Sequence, residues 1–202
     1  MTSAAEAFWR GEGGRDYTDR NVGRKADNVA FFVRALQRAW GLARILELGA
    51  GSGENLAALR VLLPHTALMA VEINEYAASK ITEADYVFRS SIQKFDPPVE
   101  TPPQLVFTKG VLIHIPPDEL AAVYDKLYAC SERYILLAEY YNPTPMEVRY
   151  HGHFQLLWKR DFAGELMELH TDLDLLDYGF VGHLDRWPQD DVTWHLLSKT
   201  QR

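Results

Sequence analysis

The chain predicts an α/β protein whose mostly parallel sheet is covered by helices on both faces. Three observations carry this. Short apolar runs alternate with stretches of helical periodicity along most of the chain, the pattern of repeated strand–helix units. The run Arg44-Ile45-Leu46-Glu47-Leu48 passes through Gly49-Ala50-Gly51-Ser52-Gly53 straight into helical spacing at Leu56, Leu59, Leu62 and Leu63. The last two runs, 173–181 and 192–199, have no helix between them and so predict an antiparallel hairpin at one edge. Seven strands result.

In chain order, residues 1–24 are polar and glycine-rich yet carry Phe8, Trp9 and Tyr17. A frayed tail rarely holds three aromatics, so this stretch reads as a segment folded over something. A helix is expected over 25–41, with Val29, Phe32, Val33, Leu36 and Trp40 near helical spacing and Gly41 ending it. The first strand follows at 43–49. The next helix stops before Pro64, and the second strand covers 67–72. A helix over 75–83 leads to a short strand at 86–88. A loop bracketed by Pro97-Pro98 and Pro102-Pro103 precedes the fourth strand at 105–108. Pro117-Asp118-Glu119 opens a helix to residue 130, since proline and acids suit a first turn. The fifth strand is 134–138. A helix over 155–170 places Phe154, Leu157, Trp158, Phe162 and Leu166 on a buried stripe.

The 202 residues fit one domain, with 1–24 as an N-terminal lid segment and 25–202 as the body. Apolar residues make up 47%, enough for a full core. The formal charge of −7 argues against a nucleic-acid partner, because phosphate binding draws on clustered Lys and Arg. A single cysteine, Cys130, allows no internal disulfide and fits a reducing compartment. No membrane-length apolar run and no export pattern appear, so a soluble cytoplasmic protein is expected.

Glycines at 49, 51 and 53 let the backbone turn sharply and let a ligand approach with no Cβ in the way. The helix that follows offers free N–H groups and the positive end of its dipole. The spacing is G-x-G-x-G, not the G-x-G-x-x-G of nicotinamide and flavin sites. Glu47 precedes the turn, and Glu72 closes a second apolar strand about twenty residues on, where a carboxylate can accept hydrogen bonds from ribose hydroxyls. Each feature alone is an ordinary turn or strand end. Together they resemble the S-adenosylmethionine site of a Rossmann-like methyltransferase. A nicotinamide oxidoreductase on a similar sheet and a non-catalytic S-adenosylmethionine-binding protein are the alternatives.

More narrowly, the chain resembles the pseudaminic acid biosynthesis-associated methylases. The resemblance rests on Phe8-Trp9 with Tyr17 and Arg20-Asn21, on 45–56 and on Val71-Glu72-Ile73-Asn74. It continues through Thr108 to Ile115, Glu139 to Pro143, Lys159 to Glu165, Asp177 to Phe180 and Asp190 to Trp194. It implies S-adenosyl-L-methionine as cofactor and a small acceptor such as a sugar acid, a sugar nucleotide or an amino-acid-like metabolite. It also implies cofactor contacts from Glu47, Gly49, Gly51, Gly53, Asn55, Glu72 and Ile73. Glu47 would meet the methionine end, and the Lys109-Gly110-Val111 backbone would line it. Ser91 and Ile92 would meet the adenine, while Trp9, Tyr17 and Arg20 would close over the cofactor, Arg20 approaching its carboxylate. One departure from the family's pattern is His151, where arginine is expected.

In an open α/β sheet a ligand lies outside the carboxyl ends of the strands. That rule selects His114 after the fourth strand, as a general base or a hydrogen-bonded structural residue. After the fifth it selects Glu139, to orient an acceptor or to pair with an arginine, and Tyr140, whose face attracts a cation or simply packs. His151, His153 and Arg160 form the densest set of donors outside the cofactor motif. An acceptor pocket is therefore expected between 139–142 and 150–161, with Arg160 either clamping an anion or bridging to Asp161 or Glu165. No metal site is expected from two histidines without a third ligand.

Overall fold

A computed structural model describes residues 3–97, 101–150 and 152–200. Two short helices come first, α1 (Ala4–Arg10) and α2 (Glu12–Arg20), where the sequence had shown only a polar segment with three aromatics. The Ser3 hydroxyl accepts from Glu6 N (3.2 Å) and starts α1. Then follow α3 (Lys25–Ala35), β1 (Arg44–Leu48), α4 (Glu54–Leu62), β2 (Ala67–Glu72), α5 (Glu75–Ala78) and β3 (Tyr86–Arg89). A single 3-10 turn at Ile92–Lys94 precedes β4 (Leu105–Lys109), and another at Leu112–His114 precedes α6 (Leu120–Cys130). The chain finishes with β5 (Tyr134–Glu139), β6 (Met146–Glu147), β7 (Trp158–Lys159), α7 (Phe162–Leu169), β8 (Leu173–Val181) and β9 (Val192–Lys199).

The main sheet has seven strands in the order β3-β2-β1-β4-β5-β9-β8. The first five strands in that order run parallel, and β9 is antiparallel to both β5 and β8. Successive strand residues point to opposite faces, so the sheet feeds two cores. Ile45, Leu68, Leu105, Phe107 and Leu136 pack with Phe31, Phe32, Leu56 and Leu59 on the α3–α4 face. Leu46, Leu48, Met69, Val106, Ile135 and Leu137 pack with Val123, Leu127, Phe162 and Leu166 on the α6–α7 face. Burial on both sides explains why these strands read as continuous apolar runs. The chain leaves β1 toward β2 and returns to β4 on the other side. The strand order thus reverses between β1 and β4, where a crevice opens at their carboxyl ends.

Several expected boundaries move. α3 ends at Ala35, so Trp40 lies beyond it, 62% exposed, with the Arg133 guanidinium 4.3 Å from its ring. α5 is one turn, capped by the Asn74 side chain accepting from Ala77 N. The expected 155–170 helix is split. Gln155 has a positive φ of 61°, and Trp158 and Lys159 pair with β6 as a two-stranded sheet. The helix starts only at Phe162, where Asp161 Oδ1 accepts from Gly164 N (2.9 Å). Phe154 is correspondingly 64% exposed rather than part of a buried stripe.

Phe107 is fully buried on β4 and meets Phe32 of α3 edge-on, with 5.4 Å between centroids. Phe107→Ala removes that contact and leaves a cavity beneath the helix layer. It should cost about 3–5 kcal/mol, read as a lower denaturation midpoint with unchanged slope.

Candidate cofactor-binding site

One cavity lies over the carboxyl ends of β1, β2 and β4, and the glycine turn forms its floor. Gly49, Gly51 and Gly53 all have positive φ, at 79°, 54° and 84°. Their reasons differ. A Cβ on Gly49 would lie 2.7 Å from the Val111 side chain, so this glycine allows two loops to approach. A Cβ on Gly51 would meet nothing within 4 Å and would project into open space, so here the missing side chain leaves room for a ligand. Gly53 caps α4 in the left-handed conformation that favours glycine.

Glu72 ends β2 beside this turn. One carboxylate oxygen accepts from Gly51 N and the other from Asn74 N, each at 2.7 Å. Burial pushes its pKa up, and the N–H donors of Asn74, Gly51 and Ile73 oppose the shift. Glu47 is wholly buried, and its Oε1 accepts from Asn55 Nδ2 (2.6 Å). Among the described residues its Oε2 has no partner, and neither has Asn55 Oδ1. Burial lifts the Glu47 carboxyl to about 8, with Asn55 and the Lys109 charge acting against it. Ser91, Ile92 and Ile73 line the cavity at the β2–β3 side. Gln93 joins them, held by its Nε2 donating to Glu119 (2.9 Å), although nothing in the sequence had marked it.

The N-terminal helices close the opposite side. Asn74 Nδ2 lies 2.9–3.2 Å from the carbonyl oxygens of Trp9, Arg10 and Gly11 and donates to them. Trp9 packs on Tyr17 (5.4 Å), His114 (4.3 Å) and Tyr150 (6.4 Å). Its buried indole Nε1 has no partner among the described residues. Burial pushes the Tyr17 phenol to about 12, so it stays a neutral donor. Arg20 is exposed on the end of α2 and does not line the cavity. Arg24 does instead, donating to Pro188 O (3.1 Å) with Asp190 Oδ1 at 3.7 Å. A four-residue shift from one helix end to the next separates these two arginines, and only packing decides between them.

The expected acceptor constellation is not assembled. Glu139 turns inward, 3% exposed, and its carboxylate accepts from Val111 N (3.0 and 3.2 Å) and Ile113 N (3.4 Å). It fixes the loop after β4, and burial raises its pKa to about 7. Arg160 Nε bonds Glu165 Oε1 at 2.8 Å, the internal bridge rather than the anion clamp. Tyr140 is half-buried with Lys159 Nζ 5.4 Å from its ring, outside the cavity lining. His153 is exposed and pairs through its backbone with Tyr150, and His151 lies outside the described residues. His114 alone of the five expected catalytic residues lines the cavity. Its Nδ1 lies 2.6 Å from Leu156 O, which fixes the proton there. Burial lowers its pKa to about 4, which makes it a weak base at neutral pH and a packing surface for Trp9.

The fold has many solved counterparts. A 1,6-didemethyltoxoflavin-N1-methyltransferase from Burkholderia thailandensis, with bound 1,6-didemethyltoxoflavin and S-adenosylhomocysteine, superposes with a TM-score of 0.68 at 18% identity. The match covers 94% of this chain and 84% of that one. Magnesium protoporphyrin IX methyltransferase from Synechocystis PCC 6803, also with S-adenosylhomocysteine, gives a TM-score of 0.67 at 12% identity, over 96% and 97% of the two chains. A plantazolicin methyltransferase complex with S-adenosylhomocysteine gives 0.65 at 10% identity, over 98% and 95%. No family model matches the chain, and no curated protein matches it by sequence. The architecture is therefore that of the Rossmann-like methyltransferases.

His114 generates a pH prediction. Its folded-state pKa is depressed below that of the unfolded chain, so its contribution to stability is full above pH 6.5 and is lost as pH falls through about 4. His114→Gln keeps a donor toward Leu156 but does not titrate. Between pH 6.5 and 4 the wild type should lose on the order of 3 kcal/mol more than this variant in denaturant titrations.

Proposed function

We propose that the protein is an S-adenosylmethionine-dependent methyltransferase acting on a small polar acceptor. The observation that carries this reading is the Gly51–Glu72 pair. A positive-φ glycine opens onto empty space, and the acid at the end of the next strand lines the same cavity with its two oxygens fixed by Gly51 N and Asn74 N. Glu72 would hold the ribose through the lone pairs its backbone contacts leave free, and Ser91 and Ile92 would hold the adenine. Asn55 lines the cavity, and its Oδ1, buried without a partner among the described residues, fits the amino group of the methionine end, while Glu47, outside the lining, holds Asn55 from beneath. Bound there, the sulfonium supplies an already activated methyl group, so the chain's task is chiefly to align and to exclude water. Residues 3–20 serve as the lid, with Trp9 and Tyr17 shielding the cavity. The solved relatives of this fold that carry S-adenosylhomocysteine support the reading. A sugar acid or sugar nucleotide remains the acceptor class that the sequence resemblance favours.

Calorimetry should show binding of S-adenosylmethionine and S-adenosylhomocysteine and none of NAD or NADP. Gly51→Asp should abolish binding of the first pair, because the new side chain enters open space with a negative charge, at a cost of about 1–2 kcal/mol in stability from its left-handed backbone. Preferential stabilisation by a nicotinamide dinucleotide would overturn the reading.

The lid has its own measurement. Trp9→Ala should weaken S-adenosylhomocysteine binding by roughly tenfold, as expected for losing a large buried aromatic contact. Hydrogen exchange over 4–20 should slow when the ligand is added to the wild type. Unchanged exchange and unchanged affinity would remove the lid.

A further inference from the structure

The end of β4 carries a basic side chain with no hydrogen-bonding partner among the described residues. Lys109 ends β4, lines the cavity and lies 5.6 Å (Nζ) from the centroid of the Phe31 ring. Among the described residues its ammonium has no hydrogen bond and no ion pair, unlike Lys126 and Lys199, which are held by Asp96 and by backbone carbonyls. A cation drawn in from solvent without a partner is costly, so it is retained at such a position for what it meets there. Around it the cavity continues between the start of α3 and the β8–β9 connection. Asn28 and Gln189, each 2% exposed, meet there with Gln189 Nε2 donating to Asn28 Oδ1 (3.2 Å). This side is distinct from the Ser91–Ile92 side.

We propose that Lys109 is the catalytic base of the methyl transfer, and that the acceptor binds in the lobe between Lys109 and the Asn28–Gln189 amide pair. This rests on the methyltransferase reading above. The acceptor it fits is a hydroxyl or N–H nucleophile with further hydrogen-bonding groups for the two amides. Lys109 Nζ takes the nucleophile's proton. The nucleophile's electron pair forms the new bond to the methyl carbon, and the electrons of the broken carbon–sulfur bond stay on sulfur. The single positive charge thus passes from the sulfonium to Lys109, and net charge is conserved.

Charge logic favours this division. Burial lowers the Lys109 pKa to about 8. Glu47 on β1, Asp190 in the β8–β9 connection and Glu139 on β5 act to raise it, while Arg24 before α3 acts to lower it. A sulfonium nearby would lower it further, so loss of the proton is favoured before transfer and its uptake once that charge is gone.

The test follows the side-chain amines directly. Protein labelled with 13C at lysine Cε is titrated by NMR alone, with S-adenosylhomocysteine and with S-adenosylmethionine, and Lys109 is assigned from K109M. We expect Lys109 to titrate near 8 rather than 10.5 in the protein alone. Its proton affinity should be about tenfold lower with the sulfonium bound than with the thioether. K109R, permanently charged, should bind S-adenosylmethionine about tenfold less well relative to S-adenosylhomocysteine than the wild type does at pH 9. If both ligands bind and Lys109 titrates identically with each, the base is elsewhere and this proposal fails while the methyltransferase reading stands. If neither ligand binds the wild type, that reading fails and the proposal with it.

Discussion

The Glu72 carboxylate is the joint on which the site depends. Its two oxygens accept from Gly51 N and Asn74 N, so one side chain ties the turn after β1 to the turn after β2. The Asn74 side chain then reaches the carbonyls of Trp9, Arg10 and Gly11 and brings the N-terminal helices over the cavity. Gly14 packs so closely there that a Cβ would lie 2.1 Å from Trp9 O and 2.7 Å from Asn74 Nδ2. Floor, rim and cover are therefore coupled through a short chain of charge-assisted and neutral hydrogen bonds. Such a network holds geometry more firmly than its separate bonds would.

Three ionisable groups sit beneath this surface at a cost. Glu47, Glu139 and Lys109 are all shifted toward their neutral forms by burial. Only Glu139 is satisfied by a set of backbone donors, and it shapes the loop that Gly49 approaches. Among the described residues Glu47 Oε2 has no partner but lies away from the cavity lining, whereas the Lys109 side chain makes no hydrogen bond and lines the cavity. Evenly satisfied groups suit a structural role, and unsatisfied ones facing a cavity suit a ligand. That contrast separates residues that build the site from those available to use it.

The described donors that looked richest in the sequence, His153 and Arg160, are not gathered at the cavity. Arg160, Glu165 and the Tyr124 hydroxyl form one network between α6 and α7, with Tyr124 donating to Glu165 at 2.8 Å. His153 lies outside the cavity lining, within the connection between β6 and β7. The cavity instead extends toward Asn28, Gln189 and Asp190, three residues drawn from segments about 160 positions apart.

The parallel strands, the closing hairpin at 173–181 and 192–199, and the glycine turn with its two acids were legible in the amino-acid order. These are legible because they depend on local rules: continuous apolar runs in strands buried on both faces, backbone conformations that glycine favours, and short connections between successive elements. The sequence also marked Trp9, Tyr17, Ser91 and Lys109, each of which the fold brings to the cavity. How those side chains are used depends on the contacts made in the folded chain. Local pattern cannot show that Glu139 points inward to backbone N–H groups, that Arg24 rather than Arg20 reaches the cavity, or that the apparent helix from 155 is broken before Asp161. Orientation and pairing depend on which distant segments meet, and a buried polar group is settled by the partners that the completed fold supplies.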